Sequence, residues 1–186
     1  MKRIVVMTVG KTHSGKTTFA KALEQHLPNS LVIDQDNHTD FINTHYRTLL
    51  PKQGPNTIKY AITRTIVNYA VHETDFHLIL CNANRSRRGR LAMLERFRQD
   101  GFISVLVHLD IPDSILQARI ANSQRSTAIF RTAANFAEVL HRQNAEAHHS
   151  DMTEPAEDEA DYMFTIKDSH EVHSVIQKIV HITQSL

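Results

Sequence analysis

The sequence predicts an α/β fold, a three-layer sandwich in which helices cover both faces of a five-stranded parallel sheet. Its short apolar runs are continuous rather than alternating, which is typical of strands buried on both faces of a parallel sheet. Between them, apolar residues such as Phe19, Leu23 and Leu27 recur with helical spacing. Strands that alternate with helices build a parallel sheet with right-handed crossovers. The runs are Ile4–Val9, Leu31–Ile33, Leu78–Cys81, Val105–Leu109 and Tyr162–Ile166.

The size and composition are those of a single globular domain over residues 1–186. A net charge of +1 argues against a protein built mainly to bind nucleic acid, although it leaves room for a local basic patch. The single cysteine, Cys81, has no internal disulfide partner. We find neither a signal-peptide pattern nor an apolar run long enough to span a membrane. These features predict a cytoplasmic protein.

The segment from Gly10 to Thr17 reads G-K-T-H-S-G-K-T, a complete G-x-x-x-x-G-K-[ST] phosphate-binding loop. It directly follows the first apolar run and opens an amphipathic helix, which is the context this motif requires. Its glycines let backbone N–H groups surround a phosphate, and the helix N-terminus adds a positive dipole. Lys16 is expected to reach the β- and γ-phosphates, and Thr17 to offer its hydroxyl to Mg²⁺. The predicted nucleotide-binding residues are Gly10, Lys11, Thr12, His13, Ser14, Gly15, Lys16, Thr17 and Thr18, with Lys11 and His13 at variable positions.

Two carboxylates, Asp34 and Asp36, come directly after the second apolar run. Ligands of an open parallel sheet bind beyond the carboxyl ends of its strands, so both lie on the rim that carries the phosphate-binding loop. We predict that Asp36 accepts the proton of an attacking hydroxyl and that Asp34 orients Mg²⁺ or its waters. The alternative is that one of them only caps a helix beginning near Thr39.

These segments resemble the P-loop kinases of the nucleoside-monophosphate-kinase-like group, which include shikimate and gluconate kinases, zeta-toxin-like kinases and polynucleotide kinase. The resemblance covers most of the chain and implies the strand order 2-3-1-4-5, a small helical lid, and ATP with Mg²⁺. It also implies that Asp36 engages the acceptor hydroxyl. The segment Leu80-Cys81-Asn82-Ala83-Asn84 resembles the D-T-N-x-x-x-x-R stretch of polynucleotide-kinase-like proteins. Asn82 stands where those relatives usually carry an aspartate, so magnesium would depend more on Thr17 and Asp34.

Two groups of arginines follow the third and fourth runs. The first comprises Arg85, Arg87, Arg88 and Arg90, and either contacts an anionic substrate or forms a solvated helix face. Arg96 and Arg98 are expected at the surface. The second comprises Arg119, Arg125 and Arg131, around a segment that resembles the lid of these kinases, about residues 119–134. Closure of the lid would bring Arg119 and Arg125 onto the transferring phosphoryl group. Helices at about residues 39–72 are expected to wall the acceptor pocket.

For several remaining segments and residues, the sequence does not predict a catalytic or metal-binding role. The acidic connector 150–161 is predicted to be a solvated linker rather than a metal or partner site. His141, His148 and His149 lack a metal-site spacing and are read as structural or solvated. Cys81 is read as a small core residue. By resemblance, the loop 167–170 borders the adenine ring.

The function predicted from these residues is an ATP-dependent phosphotransferase with Lys16, Asp36, Arg119 and Arg125 as catalytic residues. A small hydroxyl compound, which could be anionic, is favoured as acceptor over a nucleic-acid 5′ end, because the charge is near neutral and aromatic residues are few. A nucleotide-binding regulatory protein without acceptor chemistry, or with slow hydrolysis, is the alternative, and Asn82 keeps it open.

Overall fold

The computed structural model describes residues 2–147 and 151–186. Five strands form one parallel sheet in the order β2-β3-β1-β4-β5, which confirms the predicted α/β class and strand order. The strands are β1 (Ile4–Val9), β2 (Ser30–Asp34), β3 (His77–Cys81), β4 (Ile103–Leu109) and β5 (Tyr162–Ile166). The α-helices are α1 (Lys16–His26), α2 (Gln35–His45), α3 (Thr57–Glu73), α4 (Arg87–Gln99), α5 (Asp113–Ala121), α6 (Phe136–Glu146) and α7 (Glu171–Gln184).

The sheet separates two apolar cores, as a three-layer sandwich requires. Every residue of the central strand β1 is buried, and its side chains alternate between the two faces. One core packs β1 against α1 and α7, with Leu23 and Ile179 fully buried. The other packs the opposite face against α3 and α4, with Val67 and Leu94 buried. The rigid centre of the sheet therefore supports the loops that leave its carboxyl edge.

Helix α2 begins at Gln35, four residues before the start near Thr39 expected from the sequence. The Asp34 side chain caps it by accepting a hydrogen bond from the Asp36 backbone N–H at 2.9 Å. The cap places Asp36 in the first turn of the helix, where a carboxylate is favoured by the helix dipole. The start of the helix thus determines the positions of both the Asp34 and the Asp36 carboxylate.

The expected lid is helical only at residues 119–121, the end of α5, and residues 122–135 adopt neither helix nor strand. Serine side chains explain the difference. Ser123 Oγ accepts a hydrogen bond from the Arg125 N–H at 3.2 Å, and Ser126 Oγ accepts one from the Ala128 N–H at 3.1 Å. Such local bonds compete with helical hydrogen bonding.

In the part that the structure describes, the acidic connector is a solvated linker only in part: Glu154, Glu157 and Asp158 are exposed, whereas Glu159 and Asp161 have partners elsewhere in the fold. The Glu159 carboxylate is buried and forms two hydrogen bonds of 2.8 and 3.0 Å with the buried Arg90 guanidinium. Asp161 accepts hydrogen bonds from the Ser104 N–H and hydroxyl at 2.8 and 2.6 Å. The sequence analysis missed these two contacts because charge composition does not reveal which carboxylate meets a partner from a distant segment.

No helix within residues 2–147 and 151–186 is both long and apolar enough to cross a membrane. Over the same residues, no group of three or more His, Cys, Asp or Glu side chains is arranged to hold a metal ion. His141 is exposed on α6, whereas His148 and His149 lie outside the described residues.

Candidate active site

The phosphate-binding loop connects β1 to α1 at the carboxyl edge of the sheet. Gly10 has a φ of 155°, and a Cβ added there would lie 2.8 Å from Ser14 Oγ and 2.9 Å from the Leu109 carbonyl oxygen. Gly15, the residue before α1, has a φ of 100°. Both positions therefore need glycine, the first for space and the second for its left-handed backbone.

Lys16 is folded back over this loop. Its Nζ donates hydrogen bonds to the Lys11 carbonyl oxygen at 2.5 Å and to Ser14 Oγ at 3.4 Å. Burial lowers the pKa of the Lys16 ammonium to about 8, although the neighbouring Cys81 and Asp36 act in the opposite direction. The loop thus holds a partly desolvated cation, which an anion entering the loop would stabilise.

Thr17, Asp34 and Cys81 meet beneath the loop. The Thr17 hydroxyl donates to Asp34 Oδ2 at 3.0 Å, and the Cys81 thiol donates to Thr17 Oγ1 at 3.4 Å. Burial raises the pKa of Cys81 to about 12, so the thiol stays neutral and is not a nucleophile. The hydroxyl and carboxylate oxygens are ligands of the kind that Mg²⁺ takes together with nucleotide phosphates. The donor set therefore fits magnesium.

Asp36 lines the same cleft as the phosphate-binding loop and forms an ion pair with Arg125 of the lid. The pair is partly exposed, with 46% of the Asp36 side chain and 36% of the Arg125 side chain accessible. The Arg125 guanidinium also lies 5.1 Å from the Phe136 ring centroid. The lid segment is thus closed over the cleft, and the Asn43 side chain fastens it further by donating to the Ala128 carbonyl oxygen at 2.5 Å.

His13 joins the phosphate-binding loop to the lid, although its motif position is variable. One ring nitrogen lies 2.9 Å from the Ser123 hydroxyl and the other 3.0 Å from the Thr12 hydroxyl. Burial, followed by the nearby Arg125 charge, lowers the pKa of His13, which keeps the ring neutral at physiological pH. Arg119, at the base of the lid, donates to the His13 carbonyl oxygen at 3.1 Å. The two lid arginines named by the sequence therefore both reach the cleft.

Helices α5 and α6 support the loop through residues to which the sequence analysis gave no role in the site. Gln143 Oε1 accepts a hydrogen bond from the Thr12 N–H at 2.8 Å. Asp113 forms an ion pair with Lys11 at 2.7 Å and accepts a hydrogen bond from Asn144 at 2.7 Å. Lys11 therefore has a structural partner. Neither Gln143 nor Asp113 belongs to a motif, so only their approach in space identifies them.

The loop between β3 and α4 packs on both the phosphate-binding loop and α2. Asn82 Oδ1 accepts the Gln35 N–H at 3.2 Å, which ties the end of β3 to the start of α2. Asn84 has a φ of 44°, and its side chain donates to the Thr8 carbonyl oxygen at 2.9 Å. The carboxylate nearest Thr17 thus comes from β2, as Asp34, while Asn82 acts as a backbone clamp.

The arginines after β3 separate into three environments. Arg90 borders the cleft but is buried, and it donates from Nη1 to the Arg85 and Asn84 carbonyl oxygens at 2.8 and 3.2 Å, so it supports the loop and is not solvated. Arg85 is half-buried and lines the cleft. Arg87 and Arg88 are exposed and do not line the cleft. Of the two arginines expected at the surface, Arg98 is exposed, whereas Arg96 is half-buried and donates to Asn68 of α3.

A single cleft of about 1120 Å³ joins these parts. The cleft is lined by the phosphate-binding loop, by Asp36, Lys59 and Arg85, and by Arg119 and Arg125 of the lid. Ser169 is the part of the 167–170 loop that lines it. Arg131 does not line the cleft and donates instead to the Pro51 and Gly54 carbonyl oxygens. One part of this cleft can therefore hold an elongated anion that carries several negative charges, and an adjoining part can hold a second molecule.

Comparison with known proteins places this site in a family context. A family model described as an AAA domain, AAA_33, matches residues 5–149, which is most of the chain and includes the phosphate-binding loop, Asp36 and the lid. A stretch of 37 residues is 57% identical to nicotinamide riboside kinase 1 of Mus musculus, covering 20% of this chain and 19% of that relative.

Two solved structures share the fold over nearly their whole length. The APS kinase CysC of Mycobacterium tuberculosis, in complex with AMPPNP and APS, has 17% identity and a TM-score of 0.59, with 98% of each chain covered. The shikimate kinase of Bacteroides thetaiotaomicron has 16% identity and a TM-score of 0.57, with 97% of this chain and 98% of that one covered. At such identities the likeness concerns the fold.

Proposed function

Since the chain belongs to the AAA_33 family of P-loop domains, we propose that it transfers the γ-phosphate of Mg·ATP to a hydroxyl group of a small molecule. The observation that carries this proposal is that Asp36, paired with Arg125, lines one cleft together with the phosphate-binding loop. A protein that only bound nucleotide would need no such carboxylate. The names of its relatives, kinases of nicotinamide riboside, APS and shikimate, support a small acceptor.

In the proposed reaction, the backbone N–H groups of the loop and Lys16 hold the phosphates in line with the acceptor oxygen. Thr17 and Asp34 would hold Mg²⁺, which spreads the negative charge of the phosphates when it is bound. Asp36 takes the proton that the acceptor hydroxyl loses as its oxygen bonds to phosphorus and the bond to the leaving diphosphate oxygen breaks. Arg125 leaves Asp36 and stabilises the transferring group together with Arg119.

The ion pair between Asp36 and Arg125 has to open before an acceptor can reach the carboxylate. Since the pair is partly exposed, we expect its net free energy to be small, of the order of 1 kcal/mol or less. Substrate binding can therefore displace Arg125 at little cost. The displacement exposes the Asp36 carboxylate and, at the same time, lets the Arg125 guanidinium move toward the phosphates.

The test is acceptor-stimulated release of ADP. The protein is incubated with Mg·ATP and a panel of sugars, polyols, hydroxy acids and nucleosides, and phosphorylated products are identified by mass spectrometry. We expect one class of acceptor to raise ADP release well above the slow background and to gain one phosphate. Hydrolysis indifferent to every acceptor would favour the nucleotide-binding regulatory protein instead.

The pH dependence of nucleotide binding follows from Lys16. The pKa of this lysine is about 8 in the free protein, and bound phosphates favour its charged form, so binding raises that pKa. Below pH 8 the proton is already present. Above it, binding must take up a proton, and we expect the affinity for ATP to fall by up to about tenfold per pH unit. Calorimetry between pH 7 and pH 9 in two buffers measures both the Kd and the proton uptake.

The matched variant for this measurement is Lys16→Met. We expect it to bind ATP weakly at every pH and without the additional proton uptake, because the titrating group is absent. A wild-type affinity that stays constant from pH 7 to pH 9 would contradict the assignment of the titration to Lys16.

A further inference from the structure

The charges that line the cleft are unbalanced. Among the described lining residues, Asp36 is the only carboxylate, whereas several cations face the same space. Arg90 is neutralised by the buried Glu159 and does not count among them. The remaining cations are Lys16, Lys59, Arg85, Arg119 and Arg125.

A magnesium-bound triphosphate would engage only part of this set. Lys16 belongs to the phosphate-binding loop, and Arg119 and Arg125 belong to the lid above it. Lys59 and Arg85 belong to other elements, the first turn of α3 and the loop after β3. Lys59 lines the cleft from α3 together with Tyr60, and Arg85 lines it from the loop that also carries Asn82 and Ser86. We call the part of the cleft that is lined by Asp36, Lys59 and Arg85, outside the phosphate-binding loop and the lid, the acceptor side.

Lys59 is half-buried and has no carboxylate within 4 Å in the described part of the chain. Its ammonium lies 4.8 Å from the ring centroid of Tyr60, whose own side chain lines the cleft. An aromatic face attracts a cation but does not neutralise it. The lysine thus contributes an uncompensated positive charge to the acceptor side.

Arg85 is more deeply placed, with 13% of its side chain exposed. One terminal nitrogen donates to the Gln143 carbonyl oxygen at 2.5 Å, and the other approaches Glu146 at the long distance of 3.5 Å. Glu146 is shared with Arg142, whose Nε lies 3.8 Å from it. Within the described residues, Nε and one N–H on each terminal nitrogen of Arg85 have no partner. These donors are held in place and are suited to a planar or tetrahedral oxyanion.

We propose, on the premise of the kinase function above, that the acceptor is itself an anion: a hydroxyl compound whose carboxylate or phosphate group is bound by Lys59 and Arg85. Bound there, the anionic group offsets the cations that the nucleotide leaves unpaired, and the hydroxyl group faces Asp36. Without such cations, an anionic acceptor would be repelled by both Asp36 and the nucleotide phosphates.

The experiment uses pairs of acceptors that differ only in the anionic group, such as glycerol with glycerate and glycerol 3-phosphate, or ribose with ribose 5-phosphate. We expect ADP release to be stimulated by charged members and at least tenfold less by the neutral member of the same pair. Lys59→Gln and Arg85→Gln should each raise the acceptor KM at least tenfold and leave the ATP KM within about twofold. The controls are Lys52→Gln and Arg88→Gln, which are exposed and lie outside the cleft.

A second measurement does not depend on turnover. Inorganic phosphate is titrated into protein saturated with AMPPNP, so that the phosphate-binding loop is already filled. We expect saturable binding that the Lys59→Gln/Arg85→Gln double variant weakens at least tenfold and the control variants do not.

The outcomes separate the two proposals. Transfer to neutral acceptors with unchanged KM in both variants would keep the kinase and overturn the anionic acceptor. If phosphate binding depends on Lys59 and Arg85 but no acceptor is phosphorylated, the proposed anion site is supported and the proposed kinase function is overturned. If the double variant keeps both phosphoryl transfer and phosphate binding, the proposed anion site is overturned.

Discussion

Asp36→Asn should lower acceptor-stimulated ADP release by about 10²–10⁴-fold, the contribution expected of a general base. The amide keeps the size of the carboxylate but cannot take the proton of the acceptor hydroxyl. Asp36 makes no contact with the phosphate-binding loop among the hydrogen bonds described above, so the affinity for ATP should change by less than about threefold. Turnover and nucleotide Kd are measured on the same preparation.

The matched control is Asp40→Asn, which changes an exposed carboxylate on the same helix one turn further on. We expect its turnover to equal that of the wild type. Because the ion pair with Arg125 is partly exposed, neither substitution should shift the thermal midpoint by more than a few degrees. Normal turnover in Asp36→Asn would remove this residue from the mechanism, and loss of ATP binding would assign it to the nucleotide site.

Glu159→Gln should destabilise the fold by about 3–5 kcal/mol, because it leaves the fully buried Arg90 guanidinium without its counter-charge. For a chain of this length, that corresponds to a fall of about 6–20 °C in Tm. Urea unfolding followed by circular dichroism measures the free energy of unfolding. Glu157→Gln is the control, since Glu157 is exposed in the same short 3₁₀ turn, Glu157–Glu159.

The same ion pair makes stability depend on pH. Burial alone would raise the pKa of Glu159, but the hydrogen bonds and charge of Arg90 lower it overall. A lowered pKa in the folded state gives stability that is present above the unfolded value and is lost as the pH falls through the folded value. We therefore expect the difference in free energy of unfolding between the wild type and Glu159→Gln to become smaller at acid pH. Equal unfolding curves for Glu159→Gln and Glu157→Gln would contradict the role of the pair.

The pair also has a consequence for the site, because Arg90 donates to the Asn84 and Arg85 carbonyl oxygens. A loosened Arg90 would release the loop that presents Arg85 to the cleft. Simultaneous replacement by apolar residues, as in Arg90→Met/Glu159→Met, should restore much of the stability, since no buried charge then lacks a partner. Acceptor binding should remain impaired in that double variant.

The sequence by itself determined the sheet and the phosphate-binding loop. Short continuous apolar runs that alternate with helical patterns favour strands buried on both faces, and the observed order β2-β3-β1-β4-β5 confirms the order implied by resemblance. The phosphate-binding loop could also be predicted from a short stretch of sequence, because its eight residues contain the glycines, the lysine and the threonine that it needs. Asp34 and Asp36 were placed on the correct rim because parallel strands end on the same edge. Their chemical roles stay predictions.

Only the tertiary structure decided which charged residues belong to the site. Gln143 reaches Thr12 across 131 positions of the chain, and Glu159 reaches Arg90 across 69. No local pattern marks such pairs, because a hydrogen bond or ion pair depends on where the fold brings two segments together. The same reason explains why Arg90 is an internal support while Arg85, five positions earlier, faces the cleft. Local propensity shaped the loop and the strands, whereas burial and long-range contacts assigned each charge its partner.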